Sequence, residues 1–307
     1  MHRFTDLVGC RWPLQQAGMS GTATSTLAAA VANAGGLGMI GIGRQQFAVI
    51  ERYLDEVASL TDAPVGCTCI AHFVLPEVEE LVASRSPIME FFYEWPDPRR
   101  VPDNVICGWQ VGSVDEAKAA VDAGCQYVIA QGMEAGGHVR GHVPLAELLP
   151  VVRDSVDVPV VAAGGIGNVA AIRTALNLGA DAVRVGTRFV ATRESYAHPA
   201  YIEALVAAGS DDSVLTEAFG VGWPDAPHRV LRSSIEAATA AASDVVGETK
   251  LANGQTVPMP RFAVSSPSRD TTGDISAMAL YAGRSVGSVD RVMTAAEVVE
   301  ELSAAFG

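Results

Sequence analysis

The feature that most constrains the fold is a repeated alternation of short apolar runs with alanine-rich helical stretches. Eight runs are typical of strands: Pro13–Met19, Leu37–Gly43, Pro64–Ala71, Ile88–Glu94, Val105–Val111, Tyr127–Met133, Pro159–Gly164 and Ala182–Phe189. Most are continuously apolar, as expected for parallel strands buried on both faces. Eight such units favour an α/β fold of the (β/α)8 TIM-barrel type. An open doubly wound sheet is the alternative, but no GxGxxG sequence follows directly on the first strand.

The segments between the strands carry helix signals, such as a capping residue at Ser113 with Glu116 three residues later. We predict helices at Thr24–Ala34, Gln45–Ser59, Glu77–Ser84, Val114–Ala123, Leu145–Ser155, Val169–Leu178 and Tyr201–Ala208. The fourth unit is the weakest, because Tyr93–Pro102 is rich in proline and can hold little helix.

The regular alternation ends at about Val221. The chain beyond it is rich in turn residues, apart from helices predicted at Ser233–Ser243 and Ala295–Phe306. We therefore expect residues 1–223 and 276–307 to form the barrel, and residues 224–275 to form a small lid-like lobe near its mouth.

Charge and cysteine content bear on partners and compartment. The formal net charge is −14, which argues against nucleic acid or an anionic membrane as the main partner. Glycines and polar residues interrupt the uncharged stretch Trp12–Gly43, so no membrane span is expected, and the first ten residues show no signal peptide. Five scattered cysteines without CxxC spacing suit reduced thiols and predict a cytoplasmic protein.

Glycine loops follow the seventh and eighth predicted strands, where barrels of this type commonly bind phosphate. The loops read AAGGIGN at 162–168 and VGTRF at 185–189. Gly164, Gly165 and Gly186 would let backbone N–H groups approach a phosphate closely. The same glycines could simply form tight turns. We favour the phosphate site, which could hold a substrate or a cofactor.

The loop QGMEAGGHVRGH, Gln131–His142, leaves the sixth strand. The glycine pair that starts at Gly136 would bring main chain against a flat or bulky group, and His138 is a candidate acid or base at the barrel rim. A loop histidine is also often a plain surface residue. Glu134, His138 and His142 could be drawn as metal ligands, but a loop with three glycines would not align them, so no metal is expected.

Two weaker candidates lie after other strands. Ala17, Gly18 and Met19 end the first strand, where their main chain could meet a planar ring, although a methionine there is more often core. His72 follows the third strand and is a second candidate base, with a buried and satisfied histidine as the default interpretation.

Four segments together, AVANAGGLGMIG at 30–41, EAGGH at 134–138, AAGGIGN and VGTRF, resemble the nitronate monooxygenase (2-nitropropane dioxygenase-like) family of FMN enzymes. The resemblance covers most of residues 1–220. Close flavin relatives, namely FMN-dependent enoyl-acyl-carrier-protein reductases and NADH:quinone reductases, share EAGGH and GTRF. The motifs therefore identify the superfamily better than the reaction.

The resemblance implies a barrel that holds FMN non-covalently across its mouth, with the FMN phosphate at Gly164-Gly165 and Gly186-Thr187. Other implied contacts to the ring or ribityl chain are Ala17, Gly18, Met19, Gln131 and Gly136. His138 matches the family histidine that faces the substrate as a base or hydrogen-bond partner.

This chain also departs from the family pattern. Thr68 stands where many relatives have an asparagine that contacts the flavin; it keeps a hydroxyl but loses the amide. Arg184 replaces a common glutamine and would place a cation near the phosphate. The first strand ends AGM where many relatives read APM, and the loop GGHVRGH is longer than the usual GGHxG, so the substrate side is expected to differ.

The activity that the resemblance implies is oxidation of alkyl nitronates with dioxygen to a carbonyl compound and nitrite. His138 would deprotonate a neutral nitroalkane or orient a preformed nitronate. The alternatives are an FMN-dependent NAD(P)H reductase acting on a quinone or enoyl thioester, a flavin-free phosphate-binding isomerase or lyase, and a catalytically idle binding module. The alanine-rich outer helices leave a homo-oligomer open.

Overall fold

The computed structural model describes residues 3–307. The strands are β1 Leu14–Gln16, β2 Gly38–Ile42, β3 Val65–Ile70, β4 Ile88–Phe92, β5 Ile106–Val111, β6 Tyr127–Gln131, β7 Gly137–His138, β8 Val160–Ala163, β9 Ala182–Val185, β10 Ser213–Thr216, β11 His228–Leu231, β12 Val245–Lys250, β13 Thr256–Pro260 and β14 Thr271–Gly273. The helices are α1 Arg3–Val8, α2 Ser25–Asn33, α3 Phe47–Leu60, α4 Pro76–Arg85, α5 Val114–Asp122, α6 Leu145–Arg153, α7 Val169–Asn177, α8 Thr187–Val190, α9 Pro199–Ala207, α10 Arg232–Ala240 and α11 Ala295–Ser303.

Eight parallel strands form the barrel, in the order β1-β9-β8-β6-β5-β4-β3-β2. A parallel bridge between Gln15 and Leu37 joins the first strand to the second and closes the sheet. The predicted (β/α)8 barrel is confirmed, and each of its eight predicted strands overlaps an observed one. As expected, the proline-rich fourth unit holds only a short 3-10 turn, Pro98–Arg100.

The N-terminal end of the barrel is closed by α1, a helix that the sequence did not reveal. Its Phe4 packs edge-on against Tyr127 inside the barrel, with ring centroids 5.6 Å apart. Around the outside, helices pack on the strands through apolar side chains. At Gly38 the helix α2 lies so close that a side chain would overlap the Ala28 carbonyl. The ligand-accessible mouth is therefore at the other end of the barrel.

A lobe with its own hydrophobic core covers part of the mouth. Its buried cluster runs from Val190 to Val289 and so extends beyond the predicted segment 224–275 on both sides. It contains two small antiparallel sheets, β10-β11-β7 and β13-β12-β14. The predicted strand end at Phe189 is wrong, because the chain turns at Gly186 into the short helix α8.

The chain leaves the barrel for the lobe and returns to it at one place. Thr192 and Met293 form a parallel bridge, and the backbone N–H of Arg193 donates to the Met293 carbonyl at 2.9 Å. After this return, Leu302 of α11 joins the barrel core.

No helix within residues 3–307 is long and apolar enough to cross a membrane.

Candidate active site

Glycines at the ends of β8 and β9 form one side of the mouth. Gly164 and Gly165 have φ values of 116° and 69°, in the left-handed region that glycine adopts without strain. A side-chain carbon at Gly186 would lie 3.6 Å from Ala17 Cβ and 3.8 Å from Met19 Sδ. The structure thus brings the end of β9 against the residues that follow β1. All five residues are partly exposed although the strands below them are buried.

We call Gly164, Gly165 and Gly186 the glycine cradle. Two further predicted residues connect it to the lobe. The Thr187 hydroxyl accepts a hydrogen bond from the Gly283 N–H at 3.0 Å. Gly136 packs so closely on Gly283 that a side chain there would overlap the Gly283 backbone. Within the protein itself, Gly136 is therefore required for contact between loop and lobe.

Gln131 holds the loop that carries His138. Its Nε2 donates to the His138 carbonyl at 2.9 Å, and its Oε1 accepts from the Arg140 N–H at 3.0 Å. Both ends of the amide are thus engaged with main chain. The structure places Gln131 as the support of this loop.

Thr68 and Arg184 belong to a buried polar network inside the barrel. The Thr68 hydroxyl donates to Glu90 Oε2 at 2.8 Å, and Arg184 forms an ion pair with the same carboxylate. Arg184 also donates to Gln15 at 2.8 Å and to Gln110 at 2.6 Å. These bonds run into the barrel. The sequence had predicted that the Arg184 guanidinium lies near the glycine loops, and the structure does not bring it there.

Glu90 is the centre of this network and was missed from the sequence. Its Oε1 accepts from Gln15 Nε2 and from the Tyr127 hydroxyl, both at 2.6 Å. Burial and the adjacent carboxylate raise the pKa of Tyr127 well above its usual value. The available signal was one acidic residue in the apolar run IMEFF and one basic residue in AVRV. The network lies directly below the mouth, since a side chain at Gly18 would overlap the Thr68 hydroxyl.

His138 lies on the short strand β7, in the loop that follows β6. This strand pairs with β11 so that His138 lies opposite His228. Burial, together with the neighbouring His228, lowers the pKa of His138 to about 3, so the imidazole is neutral near pH 7. Its Nε2 is enclosed and has no hydrogen-bond partner among residues 3–307. Buried polar atoms are rarely left in this state.

Four rings surround the His138 imidazole, and we call them the aromatic wall: Tyr93, Trp223, His228 and Tyr281. Trp223 stacks on His138 with ring centroids 4.0 Å apart and an interplanar angle of 22°. The centroids of the other three lie 6.2, 5.2 and 5.6 Å from that of His138. Three of the four rings come from the lobe, far from His138 in the chain, so the sequence around His138 could not indicate that they lie beside it.

His72 is separated from His138 by one member of the wall. Its ring also stacks with Trp223, with centroids 5.5 Å apart, and its Nδ1 lies 2.8 Å from Glu94. The structure therefore does not bring the two candidate bases together. No group of three or more His, Cys, Asp or Glu side chains in the described chain is arranged to hold a metal ion.

Fold and candidate site together are typical of (β/α)8-barrel enzymes, whose sites lie at the C-terminal ends of the strands. The family model for nitronate monooxygenase matches residues 1–82 and 99–305. The chain belongs to the nitronate monooxygenase family and is a flavin-dependent oxidoreductase. The resemblance seen in the sequence is thereby confirmed.

Individual relatives differ in their named activities. The (3aS,4S,5R,7aS)-5-hydroxy-7a-methyl-1-oxo-octahydro-1H-indene-4-carboxyl-CoA dehydrogenase of Rhodococcus jostii is 34% identical over 236 residues, 75% of this chain. The match spans only 65% of that relative's length. A probable nitronate monooxygenase of Staphylococcus aureus is 26% identical over 340 residues, covering 89% of this chain and 96% of the relative.

Two solved structures that are similar to this chain also differ in their named activities. FabK from Thermotoga maritima has a TM-score of 0.79 and 30% identity, covering 100% of this chain and 96% of its own. Nitroalkane oxidase from Streptomyces ansochromogenes has a TM-score of 0.76 and 28% identity, covering 98% and 97%.

Proposed function

We propose that this chain is an FMN-dependent nitronate monooxygenase, which oxidises alkyl nitronates with dioxygen to a carbonyl compound and nitrite. The observation that carries the proposal is the neutral imidazole of His138, whose enclosed Nε2 has no partner among the described residues. An unpaired hydrogen-bonding group at the barrel mouth suits a ligand that completes its bonding once the surrounding rings make way. The family match supports the same activity, and the nitroalkane oxidase structure supports oxidation of a nitro compound more generally.

The residues of the glycine cradle fit FMN. Gly164 and Gly165 present a left-handed backbone, and Gly186 leaves room beside them, so backbone N–H groups would hold the phosphate. The Thr187 hydroxyl is already bonded to Gly283, so we assign this residue a contact through its backbone. When bound, FMN would supply electron transfer between the substrate and dioxygen.

The main chain of Ala17, Gly18 and Met19 would support the flavin ring. Thr68 lies directly beneath Gly18 and is fixed by Glu90, so we propose that it positions this stretch. Arg184 acts through the same network. We likewise propose that Gln131 and Gly136 position the loop and lobe around the cofactor.

The environment of His138 favours the preformed nitronate over the neutral nitroalkane. A general base is most effective when its pKa lies near the working pH, and a value of about 3 is far below it. We therefore assign the neutral ring the role of donating an N–H hydrogen bond to an oxygen of the nitronate anion. The aromatic rings around it exclude water and strengthen that bond.

The test is a spectrum of the purified protein, identification of the released chromophore, and an assay of nitrite formation. We expect a yellow protein that releases FMN and forms nitrite from ethylnitronate much faster than from nitroethane at the same pH. Colourless protein that does not take up added FMN would contradict the cofactor assignment. FMN without nitrite formation would contradict the substrate assignment alone.

The second candidate is a flavin-dependent oxidoreductase acting on an acyl thioester, with NAD(P)H as the alternative electron donor. It is favoured by the name of the Rhodococcus relative, a CoA thioester dehydrogenase, and by the likeness to FabK. Anaerobic addition of NADH or NADPH discriminates the two, because rapid bleaching of the flavin supports the reductase. Membership of a flavin enzyme family argues against the flavin-free isomerase or lyase.

A further inference from the structure

Trp223 is the member of the aromatic wall that contacts His138 most closely. It is buried, and its indole stacks with two imidazoles, those of His138 and His72. These histidines follow different barrel strands, His72 the end of β3 and His138 the end of β6. The indole of the lobe thus occupies a slot between two loops of the barrel.

Barrel residues also contact the indole from the sides. Tyr93 lies 4.5 Å from it at 66°, and Phe73 lies 4.7 Å from it at 72°, measured between ring centroids. Tyr93 has a φ of 95°, a conformation that costs a non-glycine residue about 1–3 kcal/mol. Such strain is kept where the surrounding contacts require it, and here it occurs at the residue that meets the indole.

The backbone around Trp223 is held from both lobe and barrel. Val221 bonds to the Phe262 carbonyl at 3.0 Å on the lobe side. On the barrel side, the Arg44 guanidinium donates to the Gly222 carbonyl and lies 3.9 Å from the centroid of the Phe73 ring. The indole is therefore a fixed surface beside His138, which excludes groups that overlap it.

We propose that Trp223 is a specificity-determining residue, whose indole closes the mouth beside His138 and restricts the enzyme to nitronates with short alkyl chains. This inference rests on the proposed function, in which His138 faces the nitronate. An indole is large and has only two rotatable bonds, so it limits space instead of adapting to a longer chain.

The experiment compares the holoenzymes of wild type, Trp223→Ala and Trp223→Phe on ethylnitronate and hexylnitronate. We expect the ratio of kcat/KM for hexylnitronate over ethylnitronate to rise about tenfold or more in Trp223→Ala. Trp223→Phe should give a smaller rise in the same direction. Trp95→Ala is the matched control, because Trp95 is 54% exposed and outside the aromatic wall, and its ratio should stay within about twofold of wild type.

A ratio for Trp223→Ala within about twofold of wild type, in a folded variant with full flavin content, would overturn the proposal. If Trp223→Ala does not fold, Trp223→Phe decides. A rise of about threefold in that variant supports the proposal, and a smaller rise contradicts it.

Binding is measured separately, so that the specificity and the reaction can fail independently. Neutral nitroethane and 1-nitrohexane are titrated without oxygen, and the absorbance of the bound flavin gives each Kd. If wild type oxidises no nitronate, the proposed function fails. Even then, a change of about tenfold in favour of 1-nitrohexane in the ratio of the two Kd values, between wild type and Trp223→Ala, would support the role of Trp223. An unchanged ratio would overturn it.

Discussion

The barrel interior and the barrel mouth each contain a buried polar centre, and the fold treats the two in opposite ways. Below the mouth, Glu90 accepts from Gln15, Thr68 and Tyr127 and pairs with Arg184. At the mouth, His138 keeps an enclosed Nε2 without a partner among the described residues.

The difference separates a structural network from a candidate functional group. A fully paired buried charge gives the barrel a defined interior, and removal of one partner leaves the other uncompensated. An unpaired buried nitrogen costs stability and contributes none, so we interpret it as kept for a ligand. Polar burial alone does not identify a site, and the unfilled position of His138 marks a candidate because it also lies at the barrel mouth.

The strongest test of the comparison is Glu90→Ala, which leaves Arg184 buried without its counter-ion. We expect a loss of about 3–5 kcal/mol in the free energy of unfolding, measured by denaturant titration. The double variant Glu90→Gln/Arg184→Gln removes both charges and should recover most of this loss. A Glu90→Ala protein as stable as wild type would show that the interior pair is not a structural centre.

His138→Ala should have the opposite profile. We expect kcat/KM for ethylnitronate to fall about 100-fold, because the bond to the nitronate oxygen is lost. Flavin content should be unchanged, and the loss of unfolding free energy should be smaller than in Glu90→Ala, since packing against Trp223 is lost but no internal side-chain hydrogen bond is removed. An unchanged rate would exclude His138 from the reaction.

Gly186→Asp tests the cradle between these two centres. A carboxylate beside Ala17 and Met19 would repel the phosphate, so the Kd for FMN should rise about tenfold or more. The control is Gly186→Ala, because a methyl group meets its neighbours at ordinary contact distances and Gly186 has a φ of −110°. Full flavin content in purified Gly186→Asp would contradict the phosphate site.

The smallest expected effect is on the free energy of unfolding at acidic pH. The pKa of His138 is lowered from 6.5 to about 3, so the unfolded chain binds a proton between these values that the native site does not. This group therefore lowers stability as pH falls from 6.5 towards 3 and has no such effect above 6.5. His138→Gln should give a shallower decline of the unfolding free energy over this range. A His138 resonance that titrates near pH 6.5 in NMR spectra would contradict the buried, neutral ring.

The sequence predicted those parts of the molecule that depend on local periodicity. Barrel strands and their helices follow from apolar runs and capping residues, and the glycine loops follow from the fold. The pairing of β7 with β11 could not be predicted, because it joins residues 138 and 228, far apart in the chain. The same holds for Trp223, which reaches His138 only through the lobe.

Arg184 shows what strand alternation adds to motif reading. The sequence placed it near a phosphate because it precedes a glycine loop. In a strand, however, alternate residues face opposite sides, and Val183 and Val185 pack in the outer core. Arg184 therefore faces the barrel interior, where the acidic residue of β4 is its partner.

The bridge between Thr192 and Met293 makes the lobe an insertion whose two chain connections lie at a single point of the barrel. Because that point is fixed by backbone bonds, those of the hundred or so residues between that do not contact the loops of the mouth can diverge without disturbing the barrel strands. Three of the four rings around His138 lie in this insertion. One ancestral barrel can thus give rise to enzymes of different substrate preference by exchange of a single contiguous stretch of gene, which suits a family whose members carry such different names.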